Sequence, residues 1–199
     1  MAAIGARNMN RIIVLHGSSR WDPRCDPTAS LLASLAYGKR LELESRPRES
    51  RDASLRGIAL AVAALQAMHT ARVSPGDLRF PQDGKPHVPG APDFSIAHSG
   101  GRVGCAVAEQ GAVGFDVETC TTATSLAELA RWTAIEAVLK AAGVSLRHAR
   151  QVEIDLDLRR GRLAGRDYCL HPVALARDVV AHIATDRVDC SITVRGVDG

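Results

Sequence analysis

The chain has 199 residues, 46% of them hydrophobic and 24% charged, and 25 Lys+Arg against 22 Asp+Glu leave a formal charge of +3. This apolar content suffices for one sizeable core or two small packed halves and excludes a disordered chain, while so mild a charge argues against a protein that coats nucleic acid. Aromatic residues make up only 4%, so the core is expected to be mainly Ala, Val, Leu and Ile.

The first apolar stretch, Ile12 to Leu15, follows Arg7 and Arg11 and is too short for the core of a signal peptide. Residues 28–37 form a short apolar patch, and a basic, polar stretch runs from Lys39 to Arg56. In it Arg46, Arg48, Arg51 and Arg56 alternate with Glu42, Glu44, Glu49 and Asp52, as expected of a solvated helical face with opposite charges at helical spacing. From Leu55 to Arg72 apolar residues recur nearly all round a helix, which predicts a largely buried one, broken by Ser74-Pro75-Gly76-Asp77. The longest uncharged run, Gly57 to Ala71, is shorter than the roughly 20 residues that span a bilayer, so no membrane span is expected.

Four prolines and two glycines between Phe80 and Pro92 predict a loop or extended segment. Phe94 to Ala97 and Val103 to Ala108 read as strands around the Ser99-Gly100-Gly101 turn, and Val113 to Glu118 as a third strand. Leu126 to Ala142 reads as a helix closed by Gly143. Beyond it, Val152 to Leu158 and Arg162 to Leu163 are expected to pair around Gly161, with further strands at Val179 to Ala184 and Cys190 to Val194. Helices mixed with antiparallel meanders, and no repeated βαβ unit, predict an α+β fold. The five cysteines, Cys25, Cys105, Cys120, Cys169 and Cys190, are scattered and form no CxxC pair. Neither a disulfide framework nor a cysteine zinc site is supported, and a reduced, cytoplasmic protein fits best.

Three segments carry candidate chemistry. In Val113-Gly114-Phe115-Asp116-Val117-Glu118 the two acids fall on one side of the strand, about 6–7 Å apart, with Val113, Phe115 and Val117 on the core side. Adjacent carboxylates repel unless a cation lies between them, and hard oxygen ligands suit Mg²⁺. Acids on the wet face of an edge strand give the same pattern. In Trp132-Thr133-Ala134-Ile135-Glu136-Ala137-Val138-Leu139-Lys140, Glu136 and Lys140 share a helix face at i,i+4. They read either as a helix-stabilising ion pair or as a third carboxylate, or base, with a cation beside developing phosphate charge. The third segment comprises Gly84-Lys85-Pro86 and Phe94-Ser95-Ile96-Ala97-His98-Ser99-Gly100-Gly101. Its lysine and turn histidine can donate to phosphate oxygens, or they are ordinary polar surface residues. No Walker loop or GxGxxG is present.

In order and type these segments resemble the 4′-phosphopantetheinyl transferases of the larger, surfactin-synthetase-activating class, over about residues 46–143. The resemblance implies a pseudo-dimer of two similar α+β halves, residues 1–108 and 109–199, with the active site in the cleft between them. It implies Mg²⁺ held by Asp116, Glu118 and Glu136, with Glu136 as metal ligand or base and Lys140 steadying the transferred phosphate. Gly84, Lys85, Pro86 and His98 would grip the nucleotide end of coenzyme A. The implied reaction moves the phosphopantetheine arm of coenzyme A onto a serine of an acyl or peptidyl carrier protein. A monomer is expected, because two halves in one chain can build the cleft without a partner. Three departures stand out. Ile135-Glu136 replaces the usual Lys-Glu pair, Ala97 replaces the usual serine before the histidine, and only the 17 residues 119–135 separate Glu118 from Glu136. That shortening leaves open a degenerate module of the same fold that binds coenzyme A or a carrier protein without turnover.

Overall fold

The computed structural model describes residues 9–68, 72–82, 84–121 and 125–197. Strand β1 (Asn10–Ser18) is followed by three helices, α1 (Thr28–Ser34), α2 (Tyr37–Glu44) and α3 (Arg48–Ala67). The hairpin β2 (Asp93–Ser99) and β3 (Arg102–Ala108) comes next, then β4 (Val113–Thr119) and α4 (Leu126–Ala142). Strands β5 (Glu153–Ile154), β6 (Arg160–Leu163), β7 (Arg166–Pro172), β8 (Val179–Thr185) and β9 (Cys190–Gly196) complete the chain. The fold is α+β, with one sheet in the order β2-β3-β1-β9 and another in the order β4-β8-β7-β6-β5. No helix among the described residues is long and apolar enough to cross a membrane.

The sheets stack in four layers. Ile13 and Leu15 of β1 pack with Leu55, Ile58 and Leu65 of α3 in one core cluster. The alternate residues Ile12 and Val14 point the other way, against Phe115 and Val117 of β4 and Ile183 of β8. Ala134, Ala137 and Val138 of α4 cover the far face of the second sheet. The short run Ile12 to Leu15 is thus a central strand buried on both faces, which is why it reads as an unbroken apolar run without alternation. Strand β9 joins β1 in parallel, pairing Ile12 with Ile192, so the last strand of the chain closes the first sheet.

Several local expectations are corrected. Pro47 divides the charged stretch between α2 and α3, because proline lacks the N–H and restricts the residue before it. Arg56, read as part of a solvated face, is only 6% exposed. Helix α3 ends at Ala67, and of the segment predicted to continue to Arg72 residues 69–71 lie outside those described. The strand expected from Val152 to Leu158 stops at Ile154, because residues 155–158 turn back toward β6, the Leu158 amide donating to the Asp155 carbonyl at 3.2 Å and Leu158 taking a left-handed φ of 55°. Gly161 lies inside β6 rather than at a turn. Strand β7 was not anticipated, although Tyr168 and Leu170 alternate inward along it.

Candidate metal and acid–base site

Among the described residues, strand β4 is paired through its backbone only with β8. Its other edge is satisfied by short side chains of β2. The Val113 amide donates to Asp93 Oδ2 at 2.8 Å, and the Phe115 amide to Ser95 Oγ at 3.0 Å. The Thr119 amide donates to Ser99 Oγ at 3.3 Å. Spaced by two residues on each strand, these contacts stitch one sheet to the other. The missing rung falls at Ala97, a short apolar residue packed with Val117 in the inter-sheet core.

The stitching aims Phe115 and Val117 at the other sheet and leaves Gly114, Asp116 and Glu118 on the face covered by α4. At Gly114 helix and strand nearly touch. A Cβ there would lie 1.9 Å from the Ala137 carbonyl oxygen and 2.4 Å from the Ala141 amide nitrogen. Only glycine permits this approach, and it brings the α4 residues Glu136 and Lys140 over Asp116. Asp116 is therefore 2% exposed, so the wet-face alternative does not hold for it.

Oxygens of Asp116, Glu118 and Glu136 all lie within 4.8 Å of one another. Lys140 Nζ donates to Asp116 Oδ1 and lies 3.5 Å from Glu136 Oε2. The Ser99 hydroxyl donates to Glu118 Oε2 at 2.6 Å. Asp116 Oδ2 is buried with no hydrogen-bond partner. Burial pushes the Asp116 carboxyl up to about 7; the charges of Glu136 and Glu118 push the same way, and the Lys140 ammonium opposes them. Three clustered carboxylates, only two of which share an ammonium, with a buried oxygen left over, are a donor set that a small divalent cation would complete. Glu136 and Lys140 are accordingly more than a solvent-exposed i,i+4 pair.

Directly across from Asp116 in the β4–β8 register stands His182. It is 3% exposed, and its Nδ1 lies 2.8 Å from the hydroxyl of Thr133 on α4. Thr133 Oγ1 can donate to the Ala130 carbonyl at 3.0 Å, which leaves it free to accept from Nδ1–H. This link fixes β8 to the helix one turn before Glu136. Burial lowers the His182 pKa to about 4. Because that value lies below the usual 6.5, the folded protein binds fewer protons than the unfolded chain between pH 6.5 and 4. The contribution of His182 to stability should fall by up to about 3 kcal/mol as the pH drops through this window, opposite in sign to that of Asp116. His182→Gln should cost about 1 kcal/mol at pH 7, and its deficit should shrink as the pH drops. Urea melts of both proteins at pH 7 and 4.5 check this; parallel losses would show that His182 is not held neutral.

Of the other predicted contacts, the Lys85 loop lies apart from the cluster and His98 lines the adjoining cleft. Lys85 Nζ donates to Asp93 Oδ2 and, at 2.8 Å, to the Val113 carbonyl, at the opposite end of β4 from Glu118. Burial lowers its pKa against the pull of Asp93. Gly84 and Pro86 flank it in a loop closed by the Arg79–His87 bridge. His98 is exposed beside a cleft of about 920 Å³, whose walls also include Arg20, Trp21, Arg48, Ser99 and Arg102. Partial desolvation, then the Lys140 and Arg46 cations, hold His98 below the usual histidine range. The cleft and the acidic cluster adjoin through Ser99. Sequence reasoning missed Ser99 as the partner of Glu118, His182 opposite Asp116, and Arg20 and Trp21 as cleft walls. Only the β4–β8 register could have exposed His182. Comparison with family models and with curated proteins returned no match to this chain.

Proposed function

We propose that the protein is a magnesium-dependent 4′-phosphopantetheinyl transferase, a pseudo-dimer of two α+β halves acting in the reducing cytoplasm on coenzyme A and a carrier protein. The observation that carries this reading is the buried acidic cluster. Two of its three carboxylates, Asp116 and Glu136, share the Lys140 ammonium, Asp116 keeps an orphaned Oδ2, and the cluster adjoins a cleft whose walls carry Arg20, Arg48 and Arg102 together with Asp26, Glu49 and Asp52.

Asp116, Glu118 and Glu136 would hold Mg²⁺, which supplies charge neutralisation for the pyrophosphate of coenzyme A. Arg20, Arg48 and Arg102, which pair with Glu49, Asp52 and Asp178 in this structure, would meet its nucleotide phosphates on the cleft wall by exchanging those partners, beside His98. The serine oxygen of the carrier forms the new bond to phosphorus, and the bond to the departing phosphate breaks, releasing adenosine 3′,5′-bisphosphate. Glu136 takes the serine proton or completes the metal site, and the Lys140 ammonium, one turn along α4, offsets charge developing on the phosphate. Lys85, engaged by Asp93 and Val113, would serve the loop that ends at β2 and bear on the nucleotide only if it left those partners.

Glu136→Gln tests this reading against a purely structural helix. The change keeps size and packing but removes charge and nearly all basicity. Transfer should drop roughly a hundredfold or more, while the melting temperature moves little, since the lost pairing with Lys140 is offset by the removal of a charge that repels the Asp116 carboxylate. A normal rate in the folded variant would remove Glu136 from the chemistry.

A further inference from the structure

Arg56 is a cation placed where water scarcely reaches. It is 6% exposed, and its Nε is buried without a hydrogen-bond partner. Its Nη2 donates to the Val197 carbonyl at 3.3 Å. Buried arginines ordinarily face a carboxylate. Arg56 instead faces the indole of Trp21, 4.5 Å from guanidinium carbon to ring centroid. A cation over an aromatic face is attracted to it, more strongly where water is excluded.

Trp21 is half-buried, and its Nε1 is sealed from water with no acceptor. The part of the indole that reaches the open is therefore carbon surface, a stacking face rather than a donor. Trp21 is a wall of the 920 Å³ cleft, whereas Arg56 is not, so Trp21 links the buried cation to the cleft. The backbone fixes it there as well: the Ser19 amide donates to the Gly101 carbonyl at 2.9 Å, tying the segment before Trp21 to the β2–β3 turn. On the same turn Ser99 reaches Glu118. Arg20, Arg48 and Arg102 lie along the cleft, paired with Glu49, Asp52 and Asp178.

We propose that Trp21, held from behind by Arg56, is the stacking platform for a purine base in the cleft, and so a residue that sets preference for a nucleotide-bearing substrate. Ordered in advance by Arg56, the indole loses little freedom when a base lies on it. That the nucleotide is the one carried by coenzyme A rests on the transferase reading above.

Calorimetric titration of the full chain separates the two claims, using coenzyme A, adenosine 3′,5′-bisphosphate and 4′-phosphopantetheine as probes. The last lacks the base. Trp21→Leu should weaken adenosine 3′,5′-bisphosphate and coenzyme A about tenfold, within the range for one base–aromatic stack, and leave 4′-phosphopantetheine unchanged. Trp21→Phe, which keeps a ring and guards against a variant that folds poorly, should stay within about threefold of wild type for all probes. Unchanged affinity of Trp21→Leu for the base-containing probes, or an equal loss for 4′-phosphopantetheine, would overturn the platform while the transferase reading stands. Wild-type protein that binds neither coenzyme A nor adenosine 3′,5′-bisphosphate would overturn both.

Discussion

Asp116→Asn is expected to lower transfer by about a thousandfold or more, the scale of losing a preorganised electrostatic group at a phosphoryl centre. The same change should leave the melting temperature within a few degrees of wild type. Asn keeps the volume beneath α4, and Lys140 retains Glu136 at 3.5 Å when Asp116 is lost. The deleted charge is also one that burial opposes, which is why the Asp116 carboxyl rises to about 7. The sign of that shift gives a second signature. The folded protein holds a proton on Asp116 that the unfolded chain has released between about pH 4 and 7, so this group's contribution to stability falls as pH rises through that window. Relative to Asp116→Asn, the wild-type protein should therefore lose stability from pH 4 to pH 7 in metal-free buffer. Adding Mg²⁺ at pH 7 should raise the wild-type melting temperature, as any ligand of the native state does, and leave the variant unmoved. An Asp116→Asn protein that responds to Mg²⁺ like wild type would take Asp116 out of the metal site.

Among the described glycines, Gly114→Ala should be the most damaging change for stability. The new Cβ would sit 1.9 Å from the Ala137 carbonyl and 2.4 Å from the Ala141 amide, both backbone atoms of a packed helix. No side-chain rotation relieves that overlap, so α4 must move off β4 as a unit. Overpacking of this kind costs about 3 kcal/mol or more, and in a domain of this size about 6 °C or more of melting temperature. The displaced helix would carry Glu136 and Lys140 away from Asp116, so activity should fall further than the folded fraction does. Chemical denaturation combined with rate measurements well below the melting midpoint distinguishes the two effects. A variant as stable as wild type would contradict the close approach of α4 to β4.

Helix α4 and its end at Gly143 were legible in the sequence because composition, length and a glycine in the left-handed conformation all agree there. So was the shared side of Asp116 and Glu118, which follows from strand alternation alone. The depth of the site was not. That Asp116 is buried depends on Gly114 admitting a helix to the strand, and a glycine inside a strand does not by itself say which neighbour approaches. His182 depends on a register between strands more than sixty residues apart, for which a single sequence carries no local signal. Arg56 reads as one more charge in a charged stretch, and only the inward face of α3, with Trp21 brought against it from a distant segment, makes it a buried cation. Strand β1 escaped because a strand buried on both faces shows no alternation. Lys85 shows the converse: its loop setting was legible, but the carboxylate of Asp93 and the carbonyl of Val113 that engage it are products of the tertiary fold.

The most direct measurement is intact-mass spectrometry of candidate acyl and peptidyl carrier proteins after incubation with this protein, coenzyme A and Mg²⁺, beside reactions containing chelator or Asp116→Asn. The account predicts that at least one carrier gains the mass of a single phosphopantetheine arm on its serine, matched by release of adenosine 3′,5′-bisphosphate, and that both controls stay unmodified. Carriers of fatty-acid, polyketide and nonribosomal-peptide type that all remain unmodified, although the protein binds coenzyme A and Mg²⁺, would contradict it and leave a binding module in place of a transferase.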